Sequence, residues 1–271
     1  MIKAIFFDLD RTLLNSQKII PQSAVTVLKK CRSKGVKLFV ATARMPDLDK
    51  SLNWNEETLS LFNGGVYCNG AINSIDGETE YSFIDGEVIN SIVKIMKKYP
   101  RINLALQSKN NVHAFNNVLS KSELSVWGVE DDKIFSTEKV SNVEILKVLI
   151  FDGGFATELK KLPDEVINIL SETCGKLARV YVTDEGGVIQ VVSMKASKFN
   201  GVGCIIKKLK LAENKIAVFG DDINDIEMIE GFENSVAMGN AVEEIKSAAR
   251  FVTKSNDEEG IAFAVENFLL L

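Results

Sequence analysis

Short apolar runs alternate with amphipathic stretches through the first third of the chain. Ile2 to Phe7 is a run of strand length. Ala24, Val27, Leu28 and Cys31 then repeat at i, i+3, i+4, i+7, the stripe of a helix; Pro21 suits its first turn and Gly35 its stop. Val36 to Ala41 and Val66 to Cys68 are further strand-like runs, and Asp76-Gly77 predicts a hairpin turn. The last third repeats this grammar. Val202, Ile205, Ile206 and Leu209 form a helical stripe, Ile216 to Phe219 a strand, Ile223 to Ile229 a short helix, and Ser235 to Met238 and Phe251-Val252 two more strands. An amphipathic helix runs from Glu258 onward. Apolar strands alternating with amphipathic helices predict a parallel sheet covered on both faces.

The middle differs. A helix from about Glu87 to Tyr99 precedes an extended run, Ile102 to Leu106, and a long polar stretch rich in Asn, Ser and Lys. A strand near Ile145 to Phe151, a helix around Asp164 to Leu170 and a strand near Ala178 to Val182 follow. Asp85-Gly86 and Gly186-Gly187 bracket this block as expected hinges. The block reads as a smaller α/β domain inserted into the sheet domain.

Composition narrows the classes. The 271 residues suit one large domain or two modest ones, and 46% hydrophobic with 25% charged residues argues against disorder. A net charge of −5 disfavours a main role on nucleic acid. No apolar stretch approaches the ~18 residues of a membrane span, and the N-terminal run ends in acid, unlike a signal peptide. Cys31, Cys68, Cys174 and Cys204 form no CxxC pair, so a reduced, cytoplasmic setting is expected. The single histidine, His113, excludes HExxH zinc sites and is expected on a surface or loop of the inserted block. Trp54 and Trp127 read as packing groups, and Glu130-Asp131-Asp132 as a solvated face.

Three polar groups follow three strand-like runs: Asp8, Thr42 and Asp221. In a parallel sheet the carboxyl ends of the strands share one edge, where ligands bind, so these groups are expected to converge. Asp8 and Asp10, two residues apart at a strand exit, can face one pocket, one attacking while the other handles a proton; alone, such a pair reads as an acidic turn. Asp221 and Asp225 lie about one helical turn apart and can share a cation; alone, they read as helix-capping acids. Acids gathered on one edge repel unless a cation joins them, and Mg²⁺ is the natural one. Lys198 opens a predicted helix, where an anion would be welcome; alone, it reads as a solvated lysine, with Lys195 as a nearby competitor.

With these motifs in order, the chain resembles the haloacid dehalogenase superfamily, in its Cof-type, sugar-phosphatase-like branch. The resemblance rests on Asp8-Leu9-Asp10-Arg11-Thr12-Leu13-Leu14, Ala41-Thr42-Ala43-Arg44, Asn69-Gly70-Ala71, Ser197-Lys198, Gly220-Asp221-Asp222-Ile223-Asn224-Asp225 and Ala237-Met238-Gly239-Asn240-Ala241. It implies a Rossmann-like parallel-sheet core, about 1–82 and 188–271, with an α/β cap at about 83–187. It implies Asp8 as nucleophile, forming an aspartyl-phosphate, and Asp10 as acid and then base. Mg²⁺ would be held by Asp8, the Asp10 carbonyl and Asp221, with Asp225 as a further ligand or a support. Thr42 and Lys198 would bind phosphoryl oxygens, Asn224 phosphate or its surroundings, and Arg44 substrate or cap. Asp10 needs a raised pKa to act as acid, and neighbouring carboxylates are expected to supply it.

The implied enzyme is a cytoplasmic, Mg²⁺-dependent phosphatase of a small phosphorylated metabolite: a sugar phosphate, a nucleotide or pyridoxal phosphate. The alternatives are a phosphomutase and a regulatory or binding protein that kept the fold. Two positions depart from the family pattern. Arg11 stands where Gly is usual. A left-handed backbone there would make Arg costly, and a guanidinium reaching substrate is a second reading; the expectation adopted is a harmless substitution in an ordinary conformation. Phe199 stands where Gly commonly follows the lysine.

Overall fold

A computed structural model describes residues 1–135, 137, 143–154 and 158–269. Part of the polar stretch after Leu106, and the side chain of Asp131, lie outside the described residues. The chain divides into two compact units, 1–46, 54–80 and 197–271 in the first, and 47–53 and 81–196 in the second.

The first unit opens with β1 (Ala4–Phe7), α1 (Gln22–Ser33) and β2 (Lys37–Ala41). After α2 (Leu48–Ser51), which belongs to the second unit, come α3 (Glu56–Leu59), β3 (Gly64–Tyr67), β4 (Ile72–Ile75) and β5 (Glu78–Tyr81). The second unit continues with α4 (Gly86–Met96), β6 (Asn103–Ser108), β7 (His113–Phe115), α5 (Lys121–Trp127), β8 (Ile145–Gly153), β9 (Leu159–Lys160), α6 (Asp164–Cys174), β10 (Ala178–Thr183) and β11 (Val188–Ser193). The first unit closes with α7 (Lys198–Lys208), β12 (Ile216–Gly220), α8 (Ile226–Gly231), β13 (Asn234–Ala237), α9 (Glu243–Ala248), β14 (Phe251–Val252) and α10 (Gly260–Asn267).

Its sheet runs β14-β13-β12-β1-β2-β3-β4-β5, with the first six strands parallel. β1 is buried along its whole length, and its two phenylalanines stack on neighbouring strands, Phe6 on Phe39 and Phe7 on Phe219. Val202, Ile205 and Ile206 of α7 bury against Phe6, Phe39 and Val218, the predicted stripe meeting the predicted strands. From β1 the chain order runs outward both ways, so a topological switch point falls between β1 and β12. Asp76 and Gly77, at φ 52° and 82°, make the expected hairpin turn between β4 and β5.

The second unit is a sheet of order β10-β11-β8-β6-β7, antiparallel throughout, with β9 on β8. Helices α4 and α6 bury Ile89, Ile92, Val166 and Leu170 against Leu104, Leu106, Val148 and Ile150. The division after Ala196 differs from the expected one at 187, because Val188–Ser193 is a strand between β8 and β10. The expected hinges also fall inside this unit. Asp85 caps α4, accepting from Glu87 N at 2.8 Å, and Gly186 turns the chain between β10 and β11.

His113 is not a surface residue. It is fully buried, stacked on Phe115 and edge-on to Trp127. Its Nδ1 lies 2.9 Å from the Asn111 carbonyl, which can only accept; Nε2 therefore accepts from Gln107 Nε2, also at 2.9 Å. Burial pushes the imidazole down to about 4. Trp54 packs on Phe62 and Trp127 on Phe115 and Phe151, as expected of packing groups. All four cysteines are free, and among the described residues no helix is long and apolar enough to cross a membrane.

Candidate active site

Asp8 leaves β1 and Asp221 leaves β12, so the switch point places both carboxylates on one edge. Asp8, Asp221 and Asp225 are all buried, and each offers an oxygen within 4.8 Å of the others. Three carboxylates this close repel. Burial first, then Asp8 and Asp225, pushes the Asp221 carboxyl well above the usual range; burial also raises Asp8 and Asp225. A divalent cation would relieve that strain, and an all-oxygen donor set suits a hard one.

Lys198 supplies the local positive charge. Its Nζ lies 2.6 Å from Asp8 Oδ1 and 2.7 Å from Asp225 Oδ1. It is 1% exposed, whereas Lys195 is exposed, which separates the two candidate lysines. Burial disfavours the ammonium, but Asp225 and Asp8 outweigh it and hold its pKa above the ordinary value. Ser197 caps α7, accepting from Asn200 N at 3.1 Å, and so fixes where Lys198 starts. Gly70 packs on that cap: at φ +91°, a Cβ there would lie 2.1 Å from the Ser197 carbonyl oxygen. Asp225 Oδ2 accepts from the backbone of Asp221 at 3.1 Å and Asp222 at 3.4 Å, so both its oxygens are engaged.

Asp10 faces other partners. Arg44 donates from Nε to Oδ2 and from Nη2 to Oδ1, each at 2.7 Å, and Lys18 Nζ donates to Oδ1 at 2.8 Å. Burial pushes Asp10 up, but Arg44 and Lys18 outweigh it and hold the carboxyl well below the usual range. The expected raised pKa is therefore reversed, because cations and not carboxylates touch this residue. Lys18 carried no sequence signal; a lysine in a polar turn reads as solvated.

Thr42 is fully buried at the end of β2, its Oγ1 accepting from Arg44 N at 3.1 Å. Asn224 donates to Asn69 Oδ1 at 3.0 Å, tying the Asp221 loop to the Asn69-Gly70 turn. Thr12 donates to Asp221 Oδ1 at 2.7 Å, a contact the motif spacing did not reveal.

Arg11 has φ 61°, in the left-handed region that favours glycine, which corrects the expectation of an ordinary conformation. Phe199 is accommodated by a distant glycine: its ring lies where a Cβ on Gly231 would sit, 2.3 Å from Cε2, and it packs on Phe232.

Residues 5–265 match the haloacid dehalogenase-like hydrolases, and the chain belongs to that family. It is 30% identical over 276 residues to YkrA of Bacillus subtilis, a protein assigned to the phosphatases, covering 99% of this chain and 98% of that one. A Haemophilus influenzae protein assigned likewise is 29% identical, covering 98% of both chains. The fold matches a sugar phosphatase of haloacid dehalogenase subclass IIB with a TM-score of 0.80 at 24% identity, over 99% of this chain and 100% of that one. The protein is a phosphatase of this family.

Proposed function

We propose that the protein is a Mg²⁺-dependent phosphomonoester hydrolase that works through an aspartyl-phosphate on Asp8. One observation carries the reading: Asp8, with Asp221 and Asp225 beside it and Lys198 at 2.6 Å, stands at the switch point of the sheet. Uncatalysed phosphomonoester hydrolysis needs up to ~10²¹-fold acceleration, more than one group supplies. A covalent step divides it.

Asp8, Asp221 and the Asp10 carbonyl would hold Mg²⁺, which when bound offsets the charge of the phosphoryl group. Asp225, with both oxygens engaged, orients Lys198. Lys198 and the Thr42 hydroxyl bind phosphoryl oxygens, and Asn224 holds the loop that carries Asp221. An Asp8 oxygen attacks phosphorus, the bond to the alcohol oxygen breaks, and that oxygen takes a proton from Asp10. Water then attacks the phosphorus of the aspartyl-phosphate, Asp10 takes its proton, and Asp8 and inorganic phosphate are restored. Asp10 as held here is ready for the second step. For the first, its grip by Arg44 must loosen, and an arriving anion competing for the guanidinium would loosen it.

The substrate is a small phosphorylated metabolite, and the second unit is the cap that selects it. A Bacillus subtilis relative, 25% identical over 270 residues, is a 5-amino-6-(5-phospho-D-ribitylamino)uracil phosphatase, so phosphorylated polyols and sugars head the panel, with nucleotides and pyridoxal phosphate. The reduced cysteines suit a cytoplasmic setting. The test is phosphate release from such a panel with Mg²⁺ and with EDTA. Mg²⁺-restored release supports the reading; full release in EDTA refutes it.

A further inference from the structure

Arg11 is one of the two positions where this chain departs from the expected pattern, and its backbone is left-handed. A non-glycine residue at φ 61° persists where its surroundings over-determine it. Two observations show what surrounds it. Its carbonyl accepts from Asn240 Nδ2 at 2.8 Å, and Asn240 Oδ1 in turn accepts from Asn256 N at 2.9 Å, so the backbone is clamped. Its guanidinium is held only at its margins: the side chain is 46% exposed, Nη2 donates to the Asn240 carbonyl at 3.5 Å, and Nε rests 3.7 Å from Asp221 Oδ2.

Among the described residues no other cation lies within 4.0 Å of that oxygen. Thr12 occupies Oδ1 of the same carboxylate, and Lys198 is engaged by Asp8 and Asp225. Arg11 therefore stands beside the one carboxylate of the cluster that Lys198 does not touch. A divalent cation arriving at Asp221 meets a guanidinium already there, and like charges at a few ångströms repel.

We propose that Arg11 is a tethered counter-ion of Asp221 that competes with the divalent cation and so weakens Mg²⁺ binding. The inference rests on the metal reading above. With the cation absent, Arg11 keeps Asp221 from facing its neighbours uncompensated. With the cation present, the clamped backbone stays and the side chain swings to solvent. A glycine at this position offers neither effect.

The test is calorimetric titration of the full chain with MgCl₂, without substrate, at low ionic strength. Wild type is compared with Arg11→Gln, Arg11→Gly and Arg11→Lys. Arg11→Gln removes the charge but keeps a Cβ on the left-handed backbone; Arg11→Gly removes both. The Kd is expected to fall by about two- to fivefold in both, the range of an exposed ion pair, while Arg11→Lys stays near wild type. At roughly 0.5 M KCl the difference should shrink, because an exposed pair is screened. An unchanged or weaker Kd in Arg11→Gln overturns the proposal, and tightening in Arg11→Gly alone assigns the effect to the backbone and overturns it too. Absence of binding in every protein overturns the metal site and this inference together, whereas binding insensitive to substitution overturns only the role of Arg11. Arg11→Gly suits the backbone it inherits, so failure to fold does not shield the idea.

Discussion

Arg44 grips both carboxylate oxygens of Asp10, Nε to Oδ2 and Nη2 to Oδ1, at 2.7 Å each. The fork geometry makes this the strongest kind of ion pair in the site. It also fixes the protonation state, since Arg44 and Lys18 overcome burial and keep Asp10 ionised. Arg44→Ala should raise the Asp10 pKa. An Asp10 that acts as base in hydrolysis of the aspartyl-phosphate must be ionised, so the acid limb of the single-turnover dephosphorylation rate should move to higher pH. Between pH 7 and pH 4 that rate should fall more steeply in the variant than in wild type, with Lys18 still holding part of the shift. An acid limb that stays in place would show that the pair does not govern Asp10.

Lys198 is paired with two buried carboxylates, so removing it leaves charge uncompensated. Lys198→Met should cost about 3–5 kcal/mol in urea denaturation and abolish turnover. Combining it with Asp225→Asn should cost less than the sum of the single changes, because the partner charge goes too. Additive costs would mean that the pair at 2.7 Å contributes nothing as a pair.

The Asn69-Gly70 turn bears directly on Lys198. Gly70→Ala places a methyl 2.1 Å from the Ser197 carbonyl oxygen on a φ of +91°. A loss of about 2 kcal/mol or more is expected, with a larger proportional loss in kcat/KM, because Ser197 caps the helix that begins with Lys198. Stability and rate within error of wild type would contradict this.

His113 predicts a pH dependence in the second unit. It is neutral when folded, with its pKa depressed from 6.5 to about 4, so only the unfolded chain takes up a proton between those values. Its stabilising effect is complete above 6.5 and is lost as pH falls toward 4, by about 3 kcal/mol in all. His113→Gln should flatten that part of the stability–pH curve. An unchanged slope in the variant would assign the dependence to other groups.

Much of this was legible because it rests on local pattern. Buried parallel strands write themselves as apolar runs, as at Ala4–Phe7 and Ile216–Gly220, and a parallel sheet then brings their exits together. That logic placed Asp8, Thr42 and Asp221 on one edge. Antiparallel pairing in the second unit was less legible. β7 is three residues long, and β11 follows a two-glycine turn that reads equally as a hinge. Side-chain partners were not legible at all. Asp10 is met by Lys18 and Arg44 from separate loops, and no spacing rule says which cation reaches a carboxylate. Likewise the strain at Arg11 and the space left for Phe199 by Gly231 exist only in the folded chain.

The central claim is covalent transfer of a phosphoryl group to Asp8, and its most direct measurement is mass spectrometry of the intact protein after brief exposure to acetyl phosphate and Mg²⁺. One added phosphoryl group is expected on wild type, located at Asp8 by borohydride trapping and peptide mapping. None is expected on Asp8→Asn, whose amide cannot attack phosphorus. Phosphorylation of Asp8→Asn to the same extent, or a label mapped to another residue, would contradict it.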